Sequence, residues 1–115
     1  MNIINCTPHT INLVSGEAEW AFPPSGHVAR CAMTRTQTDG LWSGGEHVAD
    51  RNVIPVNRVG YGPVEGLPDP SPGTVYLVSS LVAQAVPDRL DVLVPDDTIR
   101  DETGRIVGCR AFAKI

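Results

Sequence analysis

Three arginines stand close together near the end of this chain: Arg100, Arg105 and Arg110, on either side of a Thr103-Gly104 turn signal. A guanidinium is a planar fork of N–H donors that grips phosphate or carboxylate through two bonds at once, so this spacing points to an anion. Arg110 interrupts an apolar run (Ile106, Val107, Gly108, Cys109, Ala111, Phe112). If that face is buried the charge needs a partner, because stranding one side of a buried ion pair costs about 3 to 5 kcal/mol. Two partners fit: an internal carboxylate such as Asp91 or Asp101, or a phosphate of a bound ligand. Tyr76 and Trp42 offer aromatic faces for a base, and Gln84 offers an amide for a base edge.

Other candidates for chemistry lack partners. His9 in Thr7-Pro8-His9-Thr10 has no His, Asp or Glu at motif distance, and bonding within its own kink accounts for it. His27 and His47 are not at metal-ligand spacing. Gly44-Gly45-Glu46-His47 lacks the Lys-Ser/Thr of a phosphate-binding loop and reads as a loop. No serine sits in a G-x-S-x-G elbow. Asp88, Asp91, Asp96, Asp97, Asp101 and Glu102 follow turn and cap patterns rather than a calcium-loop spacing. No catalytic set, metal site or cofactor is expected. Cys6, Cys31 and Cys109 are odd in number, far apart and set in apolar surroundings, which argues for buried free thiols.

The elements that position these residues read as follows. A Pro-rich lead-in delivers the strand Thr74–Val78, and Ser80–Val86 has helical spacing, capped by Ser79 or Ser80 and stopped by Pro87. Asp91–Val94 and Ile106–Phe112 read as strands flanking the arginine turn. Near the N-terminus, Ile3-Ile4 and Ile11–Val14 flank a kink at Thr7-Pro8, Gly16 ends them, and Glu17–Phe22 and Val28–Met33 continue an antiparallel meander. Arg35–Gly45 reads as a long polar loop, Val53–Val59 as an edge strand because Pro55 lacks a ladder N–H, and Gly60 onward as turns. The expected fold is α+β: one sheet-dominated domain over residues 1–115, with about six or seven short, mostly antiparallel strands and one short helix. At 115 residues it has room for one core. So many strand edges in so short a chain favour a homo-oligomer.

Composition narrows the partners. The formal net charge is −4, which disfavours sequence-independent binding to DNA or RNA. Eight of the nine basic residues are arginine, so a local anion site is compatible with the net acidity. With no leader-like pattern and no apolar stretch of about 20 residues, a soluble cytoplasmic protein is expected.

Several strings along the chain resemble a family of small phage and prophage proteins, many from actinobacterial genomes. They include Asn5-Cys6-Thr7-Pro8-His9, Pro23-Pro24-Ser25-Gly26 with Val28-Ala29-Arg30, Tyr61 through Pro68, Gly73 through Ser79, Val82-Ala83-Gln84-Ala85, Arg89-Leu90-Asp91 and Ile99 through Gly108. In size, pattern and arginine placement the chain is similar to the anti-Thoeris sponges, which sequester cyclic ADP-ribose isomers, and sometimes cyclic oligonucleotides, from a bacterial immune effector without cleaving them. The resemblance implies a dimer or a hexameric assembly, with Arg100, Arg105 and Arg110 on the phosphates and Gln84 and Tyr76 nearby. It also implies a second site at Arg30 and Arg58. Two departures stand out: Cys6 replaces the usual leucine, and residues 35–45 match nothing in the family. The competing readings are a small nucleotide phosphodiesterase and a phage structural or assembly protein without a ligand.

Overall fold

A computed structural model describes residues 1–42 and 53–115, with side chains described outside 39–53. The chain divides into two compact units, Met1–Cys31 with Pro63–Ile115, and Ala32–Gly62. The first is a six-stranded sheet with one helix, and the second a two-stranded ribbon. The fold is sheet-dominated α+β. Eight strands are described, one more than the upper expectation.

The strands of the first unit are β1 (Asn2–Asn5), β2 (Ile11–Ser15), β3 (Ala18–Phe22), β6 (Thr74–Leu77), β7 (Val92–Arg100) and β8 (Ile106–Ala113), in the order β1-β6-β7-β8-β2-β3. The sheet is mixed rather than mostly antiparallel. β1–β6, β6–β7 and β2–β8 pair in parallel, while β2–β3 and β7–β8 are antiparallel hairpins. The β2–β3 hairpin closes through two residues, with Gly16 at φ +61°, a conformation that favours glycine.

Between β6 and β7 lies α1 (Ser80–Ala85). Ser79 caps it from an extended backbone, its Oγ accepting from Val82 N, and the helix ends ahead of Pro87 as the sequence requires. Val82 and Ala83 are its buried residues and join Cys6, Tyr76, Val78, Val92 and Val94 in the core. The end strands β1 and β3 are tied by Asn5, which is 2 % exposed. Its Nδ2 donates to Phe22 O (2.8 Å) and His9 O (2.7 Å), and its Oδ1 accepts from the Thr7 amide and hydroxyl. Burying this amide is tolerable because its polar atoms are all engaged. The kink at Thr7-Pro8 is thus closed by Asn5 and Thr7, with His9 contributing its carbonyl.

The second unit holds most of β4 (Arg30–Trp42) and of β5 (Val53–Glu65), each of 13 residues. Gly60 sits over Thr34 and Gly62 over Ala32, so the two strands run in opposite directions. Two expectations change here. The described part of the 35–45 segment is strand, not loop, and β5 continues through Gly60, Gly62 and Pro63 instead of breaking into turns. In Thr34-Arg35-Thr36-Gln37-Thr38 the strand signal is β-branched threonine alternating with polar residues, which favours extended backbone without any apolar periodicity. Gly66, just past β5, has φ +81°, and a Cβ there would run into the Val28 carbonyl.

Candidate functional site

The β7–β8 turn is built around Asp101. Its Oδ1 accepts from Thr103 N (2.9 Å), Thr103 Oγ1 (2.7 Å) and Arg105 N (3.0 Å), while its backbone N–H donates to Arg105 O. Gly104 supplies the left-handed corner at φ +85°. The Thr103 hydroxyl first, and then the Arg105 amide, hold the Asp101 carboxyl below its ordinary range. That carboxylate is therefore spent on shaping the turn, not on neutralising an arginine.

The arginines divide by role. Arg100 donates from Nη1 to Gly104 O (2.7 Å). Among the described residues the guanidinium of the exposed Arg105 has neither hydrogen bond nor ion pair. Arg110 lies 3.4 Å from Asp97 Oδ1, both side chains being more than half exposed. The condition under which Arg110 would need a buried partner is not met, because strand alternation turns Cys109 inward at 1 % exposure and Arg110 out. Its carboxylate is Asp97, directly across the hairpin, and neither Asp91 nor Asp101.

Asp91 belongs to Arg89, the arginine that sequence reasoning left out of the site. Arg89 Nε and Nη2 reach the two Asp91 oxygens at 2.8 and 2.9 Å, Nη2 also donates to Pro68 O, and the guanidinium lies 5.7 Å from the Tyr76 ring centre. Hydrogen bonding to Arg89 pulls the Asp91 carboxyl down, and the same bond pushes the guanidinium up. The signal was present as Arg89-x-Asp91, opposite charges two residues apart in the turn that leads into β7.

Tyr76 itself is a core residue, 2 % exposed, with its hydroxyl donating to Asp69 O (3.0 Å). It has no open face to offer a base. Gln84 is exposed on α1, its Nε2 3.4 Å from Ser80 Oγ one turn back. The three arginines share the β7–β8 hairpin, whereas Tyr76 is on β6. Arg30 borders a cleft of about 240 Å³ with Thr7, Ser79 and Leu81, while Arg58 is on β5 in the ribbon. Gly44-Gly45-Glu46-His47 and the side chain of Trp42 fall outside the described residues.

Beside the arginine hairpin is a cleft of about 500 Å³, walled by His9 to Asn12 of the β1–β2 connection and β2, Pro95 of β7, and Ile106 to Cys109 of β8. Arg105 immediately precedes the first β8 residue of this wall. Cys109 and Cys6 are buried thiols whose pKa burial pushes up, which disfavours the nucleophilic thiolate. Among the described residues no three His, Cys, Asp or Glu side chains gather in a group that could hold a metal ion. No described helix is long and apolar enough to cross a membrane. Comparison of the chain with known protein families, curated proteins and solved structures gives no match.

Proposed function

We propose that this protein binds a small anionic nucleotide, of the cyclic ADP-ribose or cyclic oligonucleotide class, and sequesters it unchanged. This is the behaviour of a phage anti-defence sponge acting in the host cytoplasm. The observation that carries the reading is that Arg100 and Arg105, two exposed arginines without a carboxylate partner among the described residues, end β7 and precede β8, the hairpin whose Pro95 and Ile106 to Cys109 help to wall the 500 Å³ cleft. Arg110 joins them on the same hairpin by exchanging its exposed, weakly held Asp97 for a ligand phosphate. Charge-assisted bonds to phosphate are worth about 1.5 to 3 kcal/mol each, so three near the upper end of that range, about 9 kcal/mol, reach micromolar binding.

The test is thermal-shift screening and calorimetry against cyclic ADP-ribose isomers and cyclic oligonucleotides, followed by denaturation and chromatography of the released ligand. Binding with return of the same molecule supports the proposal. Linear product beyond the stoichiometric amount moves the protein to the phosphodiesterase class.

A second reading, an assembly protein without a ligand, is favoured by the β4–β5 ribbon, whose long strands leave Met33, Ile54, Val59 and Tyr61 exposed. It predicts no nucleotide-dependent rise in melting temperature. Both readings include self-association, and light scattering that returned the 12.3 kDa mass of one chain at micromolar concentration would contradict that part.

A further inference from the structure

Trp20 stands near the middle of β3 and is 47 % exposed, an unusual position for the largest apolar side chain. Strand register places it opposite Leu13 of β2, and Leu13 opposite Cys109 of β8. Trp20, Leu13 and Val107 help to wall a cleft of about 360 Å³, which shares Asn12 and Val107 with the 500 Å³ cleft beside the arginine hairpin. The two clefts are therefore neighbours on one stretch of sheet. Trp20 lines the smaller cleft, and Ile106, which directly follows Arg105, lines the larger.

The spacing suits a ligand with two unlike ends. From Trp20 to Cys109 is two strand spacings, roughly 10 Å, and from Cys109 back to Arg105 is four residues, about 13 Å along the strand. The direct separation of the backbones is thus about 16 Å, a gap that a ligand and two long side chains can span together. Charge fixes the polarity. Glu17 and Glu19 flank the β2–β3 hairpin around Trp20, a setting that repels phosphate and tolerates a neutral ring, whereas Arg100 and Arg105 favour the anion.

We propose, building on the binding function above, that Trp20 is the stacking platform for the ligand's base while Arg100 and Arg105 hold its phosphates. The ligand class is then a compound carrying both a purine or pyrimidine ring and phosphate, and phosphate alone is an incomplete ligand. Base–aromatic stacking is tolerant of base identity because every base has a π-face, so discrimination between ligands falls to the phosphate geometry.

The test uses the full chain with Trp42→Phe, which leaves Trp20 as the sole reporter of the two tryptophans. The probes are cyclic ADP-ribose and, as its base-free counterpart, inorganic pyrophosphate. Cyclic ADP-ribose should quench Trp20 fluorescence. Trp20→Leu, which keeps an apolar side chain but removes the ring, should weaken cyclic ADP-ribose about ten- to a hundredfold and leave pyrophosphate binding unchanged. Trp20→Phe should recover most of the loss, with circular dichroism melts confirming that each variant is folded. If Trp20→Leu binds cyclic ADP-ribose as tightly as its parent, the platform is wrong and the binding function stands. Pyrophosphate binding without cyclic ADP-ribose binding also overturns the platform. If the parent binds neither probe, and no cyclic oligonucleotide, both proposals fall.

Discussion

The six-stranded sheet and the β4–β5 ribbon solve the same problem, a strand-rich chain, in opposite ways. The sheet uses strands of four to nine residues, pairs three of its neighbours in parallel, and buries Leu77, Val78, Val82, Cys6 and Cys109 almost completely. The ribbon uses two strands of 13 residues, and none of its described side chains is buried. Its hydrogen bonds run along one ladder, and a two-stranded hairpin alone is marginal in water. The lesson is a division of labour. Packing holds the arginine hairpin in place, whereas the ribbon's exposed apolar side chains leave it suited to contact with something else.

The largest expected effect separates the two regions most sharply. Leu77→Ala removes a fully buried side chain and should cost about 2 to 5 kcal/mol in denaturant unfolding. Val59→Ala, at 47 % exposure in the ribbon, should cost less than about 1 kcal/mol. A ribbon substitution as costly as the core one would break the contrast and mean that another chain covers the ribbon in solution.

The Arg89–Asp91 pair sharpens the account of the sheet at acid pH. The folded Asp91 carboxyl is held below its unfolded value of 3.8 chiefly by the hydrogen bond from Arg89, with Asp101 lowered in the same direction by its turn. A depressed carboxyl stabilises the fold fully above the unfolded pKa, and the contribution disappears as pH falls through the folded pKa. Stability should therefore hold from neutrality to about pH 5 and decline below pH 4. Asp91→Asn should cost about 1.5 to 3 kcal/mol at pH 7 and flatten that decline in a pH series of chemical melts. An unchanged acid limb would assign the loss to other carboxylates.

Smaller still is the expected effect of Arg110→Ala on folding, below about 1 kcal/mol, because its ion pair with Asp97 is more than half exposed. Thermal melts check this. A loss of several kcal/mol would restore the buried-charge picture that the outward orientation of Arg110 replaces.

How much of this was legible in the sequence depends on the kind of signal. The short helix could be placed because Ser79, the apolar spacing and Pro87 act locally, and the arginine turn because Asp101, Thr103 and Gly104 are turn chemistry. The parallel partnership of β1 with β6 was not legible, since Ile3 meets Val75 across most of the chain and no local pattern encodes that. Of the ribbon, Val53–Val59 was read as a strand, but the part of β4 from Arg35 onward was missed because threonines, not apolar residues, carry its alternation. Within the candidate site, the sequence left open whether Arg110 faces the core. An apolar run gives the period of β8 but not which of its faces is inward, so the orientation of Arg110 could not be read, and Tyr76, offered as an aromatic face, is a core residue of β6. Trp20 was passed over because an aromatic in a charged hairpin looks unremarkable until Val107 is placed beside it.

The central claim, that unpaired hairpin arginines bind a nucleotide anion, is tested most directly by calorimetry of wild type and Arg105→Ala against cyclic ADP-ribose and cyclic oligonucleotides, with a thermal melt as the folding control. Arg105 is exposed and without a side-chain partner among the described residues, so its loss should leave the melting temperature unchanged and weaken binding about ten- to a hundredfold. Equal affinity of a folded Arg105→Ala for every nucleotide that wild type binds, or no binding by wild type at all, would contradict the account.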